Sequence, residues 1–237
     1  MTDSRAKRRH EDIARMTGLC LLAVIIIGIG SALTLASGID INLSADFAST
    51  PAAMMEADSA LRALAYLSIV GFALNSMVTI GLYRLTEKSG DLMPVWALIA
   101  GITAAILTLL GGVSTMTAAL LSANEGFAAL GDESQRLLLV SLQAATNYTA
   151  FHLGLILSSL SMAVYFWLFF QSRQIPSLLS GFGMTASLFV AIAIGLRDFI
   201  AFLASDAVTA LFMVSNLLAL VGLGIYLTVW RVRPMDG

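Results

Sequence analysis

One histidine lies deep inside the long apolar segments of this chain, and polar side chains recur around it at helical spacing. Ser141, Tyr148, His152 and Ser159 are separated by seven, four and seven residues, which on an α-helix places them within about 40° of one face. An imidazole in such a segment can accept a proton or contact a ligand in an outward-facing cavity. It can equally be a neutral histidine that is hydrogen-bonded to a neighbouring helix.

A second polar stripe lies in an earlier apolar segment. Ser68, Asn75 and Thr79 are spaced by seven and four residues, and Asn75 is near the middle of the segment. Side-chain hydrogen bonds between membrane helices contribute roughly 0.6 kcal/mol on average. We therefore expect this stripe to hold helices together, with Asn75 as a further candidate for lining a ligand cavity.

Two opposite charges lie near the outer ends of apolar segments, Arg62 in the second and Asp198 in the fifth. An ion pair between them would tie the second helix to the fifth. In the alternative interpretation each side chain reaches out to the lipid headgroups.

These polar residues stand out because the rest of the chain is strongly apolar. Of its 237 residues 58% are hydrophobic and 12% are charged, whereas soluble domains carry about 25% charged residues. The composition predicts an all-α integral membrane protein. The net charge of −2 argues against a nucleic-acid partner, and the one cysteine, Cys20, argues against a disulfide scaffold.

Six segments are long and apolar enough to cross a bilayer, which requires about 20 residues. The predicted bundle spans residues 16–230, between a basic tail at 1–15 and a short tail at 231–237. Its six transmembrane helices are expected at about 16–37, 61–83, 94–122, 136–170, 178–202 and 208–230. Small residues are expected where these helices approach closely. The glycines in this group are Gly28, Gly101, Gly111, Gly112, Gly195, Gly222 and Gly224.

The basic residues predict the orientation, because Lys and Arg beside the spans prefer the cytoplasm. With both termini inside, ten basic residues are cytoplasmic and only Arg62, Arg136 and Arg197 are outside. We therefore expect a bacterial inner-membrane protein with cytoplasmic termini. A cleaved signal peptide is the alternative for the first segment, but such peptides have an apolar region of about 7–15 residues and this one has about 20.

The first outside loop, about 38–60, is acidic and contains no Lys or Arg. Pro51 suits the first turn of a short helix that begins near Ser49 or Thr50, with Met54 and Met55 on its apolar side. We expect an interfacial helix in a solvated loop; the alternative is a lid over an outward-facing pocket.

Sites for metals and cofactors are not expected. A metal site needs three or four Cys, His, Asp or Glu ligands, and the membrane segments hold one histidine and one cysteine. The pattern Gly28-Ile29-Gly30 lies within a span, without a preceding strand, and is not a nucleotide fingerprint.

Three segments resemble a bacterial multi-pass family, domain of unknown function 4386. They read RMTGLCLLAVIIIGIGSAL, LRALAYLSIVGFALNSMVTIGLYRL and HLGLILSSLSMAVYFWLFFQSRQIPSLLSGFGMTASL. The resemblance covers about Arg15 to Trp230 and implies that Arg62, His152 and Asp198 are characteristic polar residues of the family. Asn75 stands where the family usually has aspartate, which argues against a proton relay through that position. The family implies a fold and no activity.

Three functions fit these features. The first is a non-enzymatic protein that binds or moves a small or lipid-like ligand, using a cavity lined by Tyr148, His152, Asn75, Arg62 and Asp198. The second is an intramembrane enzyme that modifies a lipid with His152 as general base. The third is a structural or accessory subunit whose polar groups only join helices. The expected partners are membrane lipids, and the sequence carries no signal for an oligomeric state.

Overall fold

The computed structural model describes residues 2–37, 39, 50–122 and 132–230, with side chains from Arg8 onward. Within this part every regular element is helical. The helices are α1 Thr2–Thr34, α2 Thr50–Glu56, α3 Asp58–Thr86, α4 Met93–Ser122, α5 Glu133–Ser172, α6 Ser177–Leu196 and α7 Asp206–Val229, with a 3-10 turn at Ala201–Ala204. All except α2 are long and apolar enough to cross a membrane, which confirms the predicted six-span, all-α class.

The helix ends follow local sequence signals. The Asp132 carboxylate accepts hydrogen bonds from Ser134 Oγ at 2.6 Å and from the Gln135 N–H at 2.9 Å, so Asp132 is the cap of α5. The first of these bonds, and then the second, lowers the pKa of the Asp132 carboxyl below its usual value. Pro94 is the second residue of α4 and Pro176 immediately precedes α6, so both prolines mark helix boundaries.

Two helix limits lie well away from the limits of the predicted spans. α1 begins at Thr2 and includes the basic tail, because nothing in that polar sequence breaks a helix. α6 ends at Leu196 instead of near residue 202. The Phe199 N–H donates to the Leu196 carbonyl in a turn, and Ile200 then has an extended backbone conformation, which ends the helical path.

The short helix α2 forms where it was predicted, and its Met54 is fully buried. Its placement at the membrane interface and its action as a lid stay predictions. Asp40 and Asp46 of the acidic loop, and Arg231 and Arg233 of the C-terminal tail, lie outside the described residues. The orientation of the termini stays a prediction as well.

The chain divides into two compact units. Unit 1 comprises residues 1–25, 74–104 and 155–237, and its core is built on the aromatic side chains Tyr165, Phe166 and Phe169. Unit 2 comprises residues 26–73 and 105–154. Its core is smaller and combines Met54 and Leu61 with alanines of α4 and α5.

Candidate functional site

His152 is a buried residue of α5, and its side chain is held by its own helix. Its Nδ1 lies 2.8 Å from the Tyr148 carbonyl oxygen, and 8% of the residue is exposed. A carbonyl can only accept, so Nδ1 must carry the hydrogen and Nε2 of the neutral ring carries the lone pair. The imidazole therefore has the tautomer in which Nε2 can accept a proton or a hydrogen bond.

The structure brings two of the predicted site residues, Tyr148 and His152, into contact. Their ring centroids are 3.9 Å apart, with the ring planes inclined by 42°. The Phe151 ring is edge-on to the imidazole, with the ring centroids 5.8 Å apart. This aromatic packing follows from the four-residue spacing of Tyr148 and His152, which places them one helical turn apart.

A groove opens between α4 and α5 within unit 2. Its volume is about 330 Å³, and it is lined by Leu107, Leu110, Ala145, Thr146, Thr149, Ala150 and Leu153. Leu110 and Leu153 remain 47% and 49% exposed, so the groove is open at the surface of the spanning segments. We call it the α4–α5 groove.

The predicted site residues are not part of its lining, although the groove uses the same turns of α5 as the histidine. On a helix His152 lies about 60° round the axis from Thr149 and about 100° from Leu153. The histidine face and the groove face of α5 are therefore neighbouring faces of one helix.

The contacts described for the other predicted residues are with near neighbours in sequence. Arg62 Nε donates to Asp58 Oδ1 at 2.9 Å, which forms an ion pair between residues four apart in α3. The two side chains are 40% and 39% exposed. Asp198 is an exposed residue of the turn that follows α6. Asn75 accepts a hydrogen bond at its carbonyl from Thr79 Oγ1 at 2.8 Å. The Arg62–Asp198 pair and a common cavity lined by all five residues stay predictions.

The comparison with known families agrees with this architecture. The model of a family described as a domain of unknown function (DUF4386) matches residues 16–230, which is most of the chain. The chain belongs to the DUF4386 family. Neither curated proteins nor solved structures gave a match to this DUF4386 protein.

Within unit 1 the DUF4386 chain has a polar contact cluster that the sequence analysis missed. Tyr165 is 1% exposed, and its hydroxyl donates to the Thr79 carbonyl oxygen at 3.2 Å. Ser161 Oγ donates to the Ala97 carbonyl oxygen at 2.7 Å. These bonds join α5 to α3 and to α4. The four-residue spacing of Ser161 and Tyr165 in an apolar run was the available signal.

The same cluster depends on a close approach at Gly101. A methyl group at this position would lie 2.6 Å from Thr79 Cγ2 and 2.9 Å from Ser161 Oγ. The Thr79 carbonyl receives the tyrosine hydroxyl, whereas the Thr79 hydroxyl donates within α3. Side-chain hydrogen bonds from the stripe that contains Thr79 to other helices stay a prediction.

A buried amide joins α3 to the segment between α5 and α6. Gln174 is 1% exposed, and its Nε2 donates to the Leu85 carbonyl oxygen at 3.1 Å. Arg173, the residue before it, has a positive φ of 53°, a backbone conformation that turns the chain sharply after α5. The turn and the amide contact together set the path into α6.

The described residues contain no group of three His, Cys, Asp or Glu side chains that could hold a metal ion.

Proposed function

We propose that this multi-pass membrane protein is a non-enzymatic protein of the bacterial inner membrane that binds or moves a lipid-like ligand. The observation that carries the proposal is the α4–α5 groove, a 330 Å³ opening within the spanning segments. Ligand sites are commonly clefts of about 300–1,000 Å³ with mainly apolar walls and a few polar groups. The groove is at the lower end of that range, and threonine supplies its polar side chains.

The character of the lining favours a lipid-like ligand over a polar solute. Three leucines and two alanines provide most of its side chains, and none of its residues is charged. A water-soluble ion or metabolite would lose its hydration there without charged partners in return. An acyl or alkyl chain loses nothing comparable, since the bilayer around the groove is already apolar.

A lipid-modifying enzyme is the second candidate, and the tautomer of His152 is the observation that favours it. Its Nδ1–H is donated to the Tyr148 carbonyl, so the lone pair is on Nε2, as a general base requires. The accessory-subunit interpretation draws support from the bonds of Tyr165 and Ser161, which join helices and need no ligand.

Crosslinking with a photoactivatable lipid tests the proposal. The full chain would be placed in nanodiscs that contain a phosphatidylcholine with a diazirine at mid-chain, irradiated and mapped by mass spectrometry. We expect labels to concentrate on the groove residues near Leu107 and Thr149. Thr149→Phe fills the groove and should remove this labelling. Leu142→Phe is the matched control, because Leu142 is an exposed residue of α5 outside the groove lining, at 59% exposure.

Even labelling of all lipid-facing surfaces, unchanged in Thr149→Phe, would refute a binding groove. Incubation of the protein with a mixture of inner-membrane lipids distinguishes an enzyme from a binding protein. A new lipid product that is formed by the wild type and lost in His152→Ala would favour an enzyme.

The proposed orientation rests on the basic residues and needs its own test. Arg84 in the last turn of α3 and Lys88 between α3 and α4 belong to the side that we assign to the cytoplasm. A cysteine introduced at Lys88 should therefore react with an impermeant maleimide only after the cells are opened. A cysteine at Ser134, at the start of α5, should react in cells whose inner membrane is intact.

A further inference from the structure

We propose that the α4–α5 groove selects a long-chain alcohol, an uncharged lipid with a hydroxyl group at its polar end. The inference rests on the proposed function and specifies its ligand class. It follows from the state of the two threonine hydroxyls in the groove lining. Thr146 Oγ1 donates to the Leu142 carbonyl oxygen at 2.9 Å, and Thr149 Oγ1 donates to the Ala145 carbonyl oxygen at 2.9 Å.

Each hydroxyl has one proton and two lone pairs. Both hydroxyls are placed to donate to carbonyls of α5, so the oxygen lone pairs are what Thr146 and Thr149 can offer a ligand without breaking a hydrogen bond of the helix. The polar end of a matching ligand must therefore be a donor. An ester carbonyl, an ether oxygen or an ionised carboxylate is an acceptor and would meet like partial charge at these oxygens.

The groove lining contains no charged residue, and this limits which kind of hydrogen-bond donor the ligand can carry. An ammonium group also donates hydrogen bonds, but its burial beside apolar walls needs an opposite charge, and the lining residues include none. A hydroxyl carries only a partial positive charge on its hydrogen, which is complementary to the threonine oxygens. Leu107, Leu110 and Leu153 provide the surface for the alkyl chain of the same molecule.

A competition series with a fixed chain length tests the ligand class. Dodecanol, dodecyl methyl ether and dodecylamine are added at equal mole fraction to nanodiscs that contain the photoactivatable phosphatidylcholine. We expect dodecanol to displace groove labelling about 3- to 10-fold more effectively than the ether. That range corresponds to about 0.6–1.4 kcal/mol, the size of one hydrogen bond within a membrane protein.

Isosteric variants assign the preference to the threonines. In the double variant Thr146→Val and Thr149→Val the groove keeps its shape and loses both oxygens, so the preference for dodecanol should disappear while chain binding persists. Thr117→Val is the matched control. Its hydroxyl donates to the Val113 carbonyl oxygen at 3.0 Å in the same way, but Thr117 is on α4 outside the groove lining.

The outcomes separate this inference from the function on which it rests. Equal competition by all three compounds, or strongest competition by the amine, would overturn the alcohol assignment and leave lipid binding intact. A preference for dodecanol that survives in the double variant would overturn the role of the threonines. If labelling never concentrates in the groove, both the inference and the proposed function fail.

Discussion

Gly18 marks the closest approach between α1 and α7, and its substitution should be costly. A methyl group at Gly18 would lie 2.5 Å from Thr228 Oγ1, 2.7 Å from the Gly224 carbonyl oxygen and 2.9 Å from the Thr228 backbone nitrogen. Two of these three atoms belong to the backbone of α7 and cannot rotate away. We predict that Gly18→Ala forces the two helices apart and destabilises the protein.

Gly28 provides a matched control on the same helix. No described atom lies within 4 Å of a methyl group placed at Gly28. Alanine is the better helix former by about 0.8–1.0 kcal/mol, and this gain applies to both positions because both are inside α1. Gly28→Ala should therefore be neutral or stabilising.

The size of the destabilisation is best measured as the difference in the free energy of unfolding between the two variants. Overpacking of a well-packed interior costs about 1–3 kcal/mol, and the helix-propensity gain cancels when Gly18→Ala is compared with Gly28→Ala. We expect the Gly18 variant to be less stable than the Gly28 variant by about 1–3 kcal/mol.

The assay is reversible unfolding in mixed micelles, in which the dodecyl sulfate fraction is raised and helix loss is followed by circular dichroism. The free energies of unfolding of both variants are compared with that of the wild type. Equal stability of the two variants would show that α1 and α7 do not meet at Gly18, and the reasoning from this close approach would be wrong.

Three further predictions concern single polar contacts. Tyr165→Phe removes a buried hydrogen bond between helices and should lower the free energy of unfolding by about 0.6–1.7 kcal/mol. Tyr66→Phe, at a site that is 63% exposed, should leave the free energy of unfolding unchanged. Equal effects of the two variants would argue against the Tyr165 hydrogen bond. Hydrogen bonds hold the pKa of the Asp132 carboxyl below its usual value, so the ionised carboxylate stabilises the start of α5. This stabilisation is complete above the usual pKa of an aspartate and is lost as the pH falls through the lowered pKa of Asp132. Amide exchange at that helix end should show this loss in the wild type and not in Asp132→Asn, and identical profiles would contradict the cap. The Arg62–Asp58 pair is half-exposed, so a double-mutant cycle should give a coupling of about 0.3–0.5 kcal/mol, and a coupling well above 1 kcal/mol would contradict a simple surface pair.

Local features of the chain were predictable because they depend on few neighbours. Six spans follow from hydropathy and length, which a helix satisfies without reference to its partners. The cap at Asp132 and the contact between Tyr148 and His152 arise within one or two helical turns. The sequence therefore determined the class of protein and the local surroundings of the histidine.

Contacts between helices were decided by the tertiary structure, and the glycines show why. Gly28 and Gly195 were expected at close helix contacts, yet a methyl group would meet no described atom within 4 Å at Gly28 and only Ile156 Cδ1 at 3.9 Å at Gly195. The closest approaches include Gly18 against α7 and Gly183 against Phe166. Composition says that small residues permit contact, but the rotation of each helix about its axis decides which of them are used.

The hydrogen bond of Tyr165 and the α4–α5 groove were also decided by the tertiary structure. The acceptor of the tyrosine is a backbone carbonyl, which every residue has and which leaves no mark in the sequence. The groove exists because α4 and α5 leave space between Leu107 and Thr149, and a space between two helices is a property of their packing. The residue types along the chain determined which segments are apolar enough to cross a membrane, whereas the packing of the helices decided where the groove lies.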